Sequence, residues 1–134
     1  MNIAILLITL AILTETTFLI IKKHKPMRSG MRKIYVDTSV LIDGRILNIA
    51  RTGFIDGDLI ILKSVLRELQ LLADGKDNEK RARARAGLSN VAELERVVEV
   101  NTEIYDDGTE KKKVDEELLR FAKENKGAVL TLDY

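Results

Sequence analysis

Five carboxylates carry the chemical potential of this sequence: Asp37, Asp43, Glu68, Asp115 and Asp133. Asp37 ends the apolar run Ile34–Tyr35–Val36, and Asp133 follows Ala128–Leu132. Short apolar runs of this kind read as buried strands, so both carboxylates stand at strand ends. Asp115 falls in the first turn of an amphipathic run, where a helix N-terminus favours an anion. Glu68 lies within another such run, and Asp43 follows Asp37 by six residues. Carboxylates that converge without an interleaved Lys or Arg repel one another, so a cation belongs among them. Oxygen-only ligands select hard cations, which points to Mg2+ or Mn2+. Such ions clamp phosphates, activate water and stabilise a leaving oxygen. Thr38 and Ser39, directly after Asp37, add hydroxyls able to bond a carboxylate, a water or a phosphate oxygen. Each acid also has an ordinary role open to it. Asp37 can cap a helix, Asp115 can answer a helix dipole, Glu68 can be solvated and Asp133 can sit in a turn. The metal reading rests on their joint placement.

The elements that must position these groups follow from hydrophobic periodicity. Lys33–Asp37 reads as a strand, and Thr38–Ala50 as a helix weakened in its middle by Gly44. Asp58–Leu62 is a second strand. Ser64 opens a helix through Ala73 with Val65, Leu66, Leu69 and Leu72 on one face. Asp77–Val97 is a longer, charged helix, Val98–Ile104 a third strand, and Tyr105–Lys113 a solvated loop. Val114–Asn125 is a helix stopped by Gly127, and Ala128–Leu132 a fourth strand. Strands alternating with helices predict a parallel sheet in a three-layer α/β fold. Ligands of such sheets bind beyond the C-terminal strand ends, where strand order reverses.

Composition narrows the functions. The chain has 134 residues, 46% hydrophobic and 32% charged, enough for a core. No cysteine is present and His24 is the single histidine, which excludes thiolate chemistry, a His triad and a multi-His zinc site within one chain. Aromatics at 4% argue against a base-stacking sheet. The net charge of +1 leaves nucleic-acid affinity to a local patch. That patch is KRARARAG (80–87), whose Arg81, Arg83 and Arg85 either contact phosphates or form a solvated face. Residues 3–21 are apolar apart from threonines and Glu15, about the length that spans a bilayer. The basic run Lys22–Lys25 follows. Residues 1–22 are therefore expected to form a single-pass transmembrane anchor and 23–31 a basic linker, with the following domain on the cytoplasmic side of the cell membrane. Glu15 in that anchor hints at self-association.

The segments IYVDTSVLIDGRI, VLRELQLLAD, RARARAGL and VDEELLRFAKENKGAVLTLDY together resemble the PilT N-terminus (PIN) domain nucleases. The resemblance is strongest to the membrane-bound bacterial branch that joins a PIN domain to a TRAM domain, and it covers 32–134. It implies a PIN-like fold with a Mg2+- or Mn2+-dependent ribonuclease activity on single-stranded or structured RNA. The family's acidic positions fall on Asp37, Glu68, Asp115 and Asp133, and a further acid of the branch on Asp43. Thr131 matches a small hydroxyl position two places before the last acid. The family's final helix and strand, and the TRAM segment, have no counterpart here. An exposed β edge at Ala128–Leu132 is then expected to favour a homo-oligomer.

These features predict a membrane-anchored nuclease that hydrolyses RNA phosphodiesters by metal-activated water. The alternative is a non-catalytic, membrane-tethered RNA-binding or scaffolding module with a vestigial acidic site. An aspartyl-nucleophile phosphatase needs an acid two residues after Asp37, where Ser39 stands. A metal-dependent adhesion motif, Asp-x-Ser-x-Ser, is broken by Leu41.

Overall fold

The computed structural model describes residues 2–23, 32–108 and 113–133. In chain order the elements are α1 (Ile3–Lys23), β1 (Lys33–Val36), α2 (Thr38–Asp43), α3 (Ile46–Arg51), β2 (Asp58–Leu62), α4 (Lys63–Ala73), α5 (Asn78–Arg96), β3 (Thr102–Tyr105), α6 (Val114–Glu124) and β4 (Ala128–Leu130). The predicted α/β alternation and the four-stranded parallel sheet are both present.

The transmembrane anchor is not supported. Among the described residues, no helix is long and apolar enough to cross a membrane. The apolar run of α1 is interrupted by Thr9, Thr14, Glu15, Thr16 and Thr17. The threonine hydroxyls donate back to carbonyls one turn earlier, as Thr14 does to Ala11 at 2.8 Å and Thr17 to Leu13 at 2.7 Å. The single-pass membrane location inferred from that anchor falls with it. Of the expected basic linker 23–31, Lys23 ends α1, and 24–31, with His24, lie outside the described residues.

Sheet order is β3-β2-β1-β4. Ile34 of β1 is in register with Leu59 of β2 and with Ala128 of β4. The chain steps from β1 to β2 to β3 on one side, then returns to add β4 on the other side of β1. The order therefore reverses between β1 and β4, and a parallel sheet opens its ligand crevice at the C-terminal ends of such a pair. Leu59, Ile60, Ile61 and Leu62 are all buried, so both faces of β2 are covered, as central parallel strands require. The core runs from Val36, Leu59 and Ile61 to Leu41, Leu69 and Leu94 on the surrounding helices.

The expected helix over 38–50 is two helices. Gly44 takes φ +81° and donates its N–H to the Val40 carbonyl, closing α2 with a left-handed cap. Helix α5 packs on α2 and α4 through Ala84, Gly87, Val91 and Leu94. Gly87 permits this approach: a Cβ there would stand 3.0 Å from Leu69 Cδ2 and 3.3 Å from Ile42 Cγ1. Helix α6 packs on β1 and β4. Its Glu117, 1% exposed, is bonded to Arg120 at 2.6 Å, so the buried charge is compensated. The third strand is shorter than expected. Val97 and Val100 are buried, but the chain turns at 98–100 before β3 begins at Thr102.

Candidate active site

Asp37 follows the last residue of β1 and is 4% exposed. Its backbone N–H still reaches across to the Leu130 carbonyl of β4 at 3.0 Å. The side chain then serves α2 as its N-cap, with Oδ1 accepting from Thr38 N at 2.8 Å. Two hydroxyls donate to Oδ2, Ser39 at 2.8 Å and Thr131 at 2.9 Å. Those hydroxyl oxygens in turn accept backbone N–H groups: Ser39 from Leu132 at 3.1 Å, Thr131 from Asp133 at 3.1 Å. Asp37 thus holds the segment that carries Asp133. A carboxylate offers about four lone pairs. Three are taken, leaving one on Oδ1.

The other acids arrive from separate elements. Glu68, half-buried on α4, accepts from Thr38 Oγ1 at 2.5 Å. Helix α4 has no side-chain cap of its own, and Asp107 in the β3–α6 loop supplies one, accepting from Ser64 N at 3.3 Å. Asp115 sits in the first turn of α6, and Asp133 follows β4; both are exposed. Neither carboxylate has a hydrogen bond or ion pair among the described residues. Asp43, at the end of α2, is engaged by Arg45, whose Nε lies 2.8 Å away. That hydrogen bond, with a second from the Arg45 backbone, holds the Asp43 carboxyl below its ordinary range.

One cleft of about 600 Å³ is lined by Asp37, Asp43, Glu68, Asp115 and Asp133, together with Thr38 and Ser39. Lys80 and Arg83 line it too. Arg81 and Arg85 do not; Arg81 is half-buried with its Nε unpartnered, and Arg85 is exposed. Lys80 escaped the sequence reading. The available signal was its spacing, three residues before Arg83 and four before the buried Ala84.

The donor set suits a hard divalent cation in its chemistry, since every candidate ligand atom is oxygen. The geometry is open: among the described residues, no group of three such side chains stands close enough to hold one ion. The carboxylates share a cleft without forming a closed cage.

No family model matches the chain. It is similar to three proteins each named as an uncharacterized PIN and TRAM-domain containing protein. YacL of Bacillus subtilis is 42% identical over 100 residues, 74% of this chain and 27% of that protein. A relative from Synechocystis is 42% identical over 103 residues, 74% of this chain and 28% of the other. One from Thermus thermophilus is 36% identical over 110 residues, 82% of this chain and 32% of the other. The chain thus spans about a third or less of the length of these relatives. Among solved structures, a domain of a functionally unknown protein from Methanocaldococcus jannaschii superposes with a TM-score of 0.62 at 27% identity, over 77% of this chain and 79% of that one.

Proposed function

Because the chain belongs with the PIN domains of the PIN–TRAM branch, and PIN domains are generally nucleases that use divalent metals, we propose that it is a metal-dependent ribonuclease. The observation that carries this reading is the single cleft at the β1–β4 switch point. It gathers Asp37, Glu68, Asp115 and Asp133 from four different parts of the chain. Asp37, Asp115 and Asp133 are the candidates to hold Mg2+ or Mn2+, with Glu68 beside them; at the open spacing seen here the ion would take one or two of these carboxylates and complete its shell with water. When bound, the ion supplies an acidified water and neutralises charge on a leaving oxygen. The chain's own contribution is positioning. Ser39 and Thr131 fix the Asp37 carboxylate and draw 131–133 against it. Thr38 ties Glu68 to the same turn. Asp43, already paired with Arg45, stands at the rim as a substrate-facing group. Asp115 and Asp133 stay unpaired by any described cation, which suits them to a metal.

The open spacing of the carboxylates favours a second reading, an RNA-binding module without catalysis. One experiment separates them. Incubation of single-stranded RNA with the chain and Mn2+ is expected to yield cleavage that EDTA abolishes and Asp37→Asn reduces by at least about a hundredfold. RNA binding without metal-dependent cleavage favours the module, and cleavage that persists in EDTA overturns the metal mechanism.

A further inference from the structure

Five carboxylates and two cations line the same cleft, yet the cations pair with none of them. The side chains of Lys80 and Arg83 form no ion pair or hydrogen bond among the described residues. Elsewhere on the surface the basic side chains do find acids: Arg45 with Asp43, Lys63 with Asp106, Arg96 with Glu93. The difference has a cause in the helix. Ala84, Gly87, Val91 and Leu94 form the buried stripe of α5. Lys80 lies one turn before Ala84 and Arg83 one turn before Gly87, so both continue that stripe beyond the packed part of the helix. At this end the face that packs on α2 and α4 opens over the cleft. The remaining cleft residues are Thr38, Ser39, Ile42, Leu72 and Leu132, and among the described residues no aromatic ring lines it. Among these residues charge, rather than base stacking, is the means of holding nucleic acid.

Resting on the nuclease reading, we propose that Lys80 and Arg83 form a second phosphate subsite. It takes a backbone phosphate neighbouring the one placed at the carboxylates. A planar guanidinium offers two parallel donors to phosphate oxygens, and the lysine adds a point charge beside it. The carboxylates themselves repel an unassisted phosphate, so the two positive side chains set which part of the strand can enter. The substrate class that follows is a single strand bearing at least two consecutive phosphates, read without base preference.

The test compares two substrates in the presence of Mn2+: a single-stranded RNA oligonucleotide and bis(p-nitrophenyl) phosphate, which has one phosphodiester and no neighbour. The preference is the ratio of their kcat/KM values. In Lys80→Gln/Arg83→Gln it is expected to fall by about tenfold or more, chiefly through KM on the oligonucleotide. A ratio unchanged within about twofold overturns the subsite, because both substrates then use these residues alike or neither does. A binding measurement keeps the question apart from catalysis. In an Asp37→Asn background, adding the two Gln substitutions is expected to reduce the slope of log K against log salt by about 0.7, the share of one phosphate on a single strand. An unchanged slope, or a loss about twice that size, overturns the single subsite. If the unsubstituted chain cleaves neither substrate, the nuclease reading fails while the slope still decides the subsite.

Discussion

Replacing Asp37 by Asn and by Ala should give unequal structural outcomes, although both remove the same charge. Asn keeps an oxygen that accepts from Thr38 N, and Asn is as good a helix cap as Asp. Its amide can donate to the Ser39 and Thr131 oxygens, whose own hydrogens turn toward water at this part-exposed site. The loss is the extra strength of charge-assisted bonds, about 1 kcal/mol in all. Relief of repulsion from Glu68, Asp115 and Asp133 offsets part of it. Ala loses the cap, about 1 kcal/mol, and leaves two hydroxyls without their acceptor, about 0.5–1 kcal/mol each. The expected gap between the variants is therefore about 1–2 kcal/mol. For a domain of this size that is roughly 5–15 °C in Tm. Thermal unfolding in EDTA, followed by circular dichroism, reads it directly. With Mn2+ added, the unsubstituted chain should gain stability and both variants should gain much less. Equal Tm values for Asn and Ala would refute the view that Asp37 organises α2 and the 131–133 segment through its hydrogen bonds.

Tyr35 gives a pH dependence. Burial chiefly raises its pKa, with the nearby Tyr105, Glu103 and Glu124 adding to the effect. A raised pKa means that its contribution to stability is complete below about pH 10, the ordinary tyrosine value, and is lost as pH rises through the folded value. Tyr35→Phe should then flatten the alkaline fall of the urea midpoint between about pH 9 and 11; parallel curves for the two proteins would exclude this origin. Asp107→Ala should cost about 1 kcal/mol or more, because α4 loses its only described side-chain cap. A urea midpoint within error of the parent would show that water replaces the cap.

Much of the fold was legible because the apolar periods are clean. DLIIL at 58–62 could be little other than a buried strand, and the α4 and α6 stripes announce their burial. Where reading failed, a competing term was invisible in one dimension. Gly44 was seen as a weak point, but its left-handed conformation, which ends α2 outright, depends on how α3 must turn to pack. Val100 looks like a strand residue and is buried, yet it fills the core from a bend. The apolar N-terminal run meets a length criterion on the sequence, yet among the described residues no helix is long and apolar enough to cross a membrane, and threonines and Glu15 interrupt the run. At the site, the end of β1 located Asp37; β4 stops at Leu130, two residues short of the expected strand, so Asp133 lies three residues past its end. The pairing of Asp43 with Arg45 and the division of the arginine run between cleft and surface depend on side-chain direction, which spacing alone does not fix.

The contact at Gly87 makes the interior a gauge for the surface. Helix α5 rests so close to Leu69 and Ile42 that a Cβ at Gly87 would stand 3.0 Å from Leu69 Cδ2 and 3.3 Å from Ile42 Cγ1. Lys80 lies seven residues, or about 10 Å, further along the same rod. A side chain inserted at the fulcrum must be taken up by Leu69 and Ile42 or by a swing of that end, and the swing parts the basic wall from the acidic one. The width of the jaw and the tightness of the core are thus a single mechanical coordinate. Selection acting on what the cleft can grip would be written, in part, at a buried position that no substrate touches.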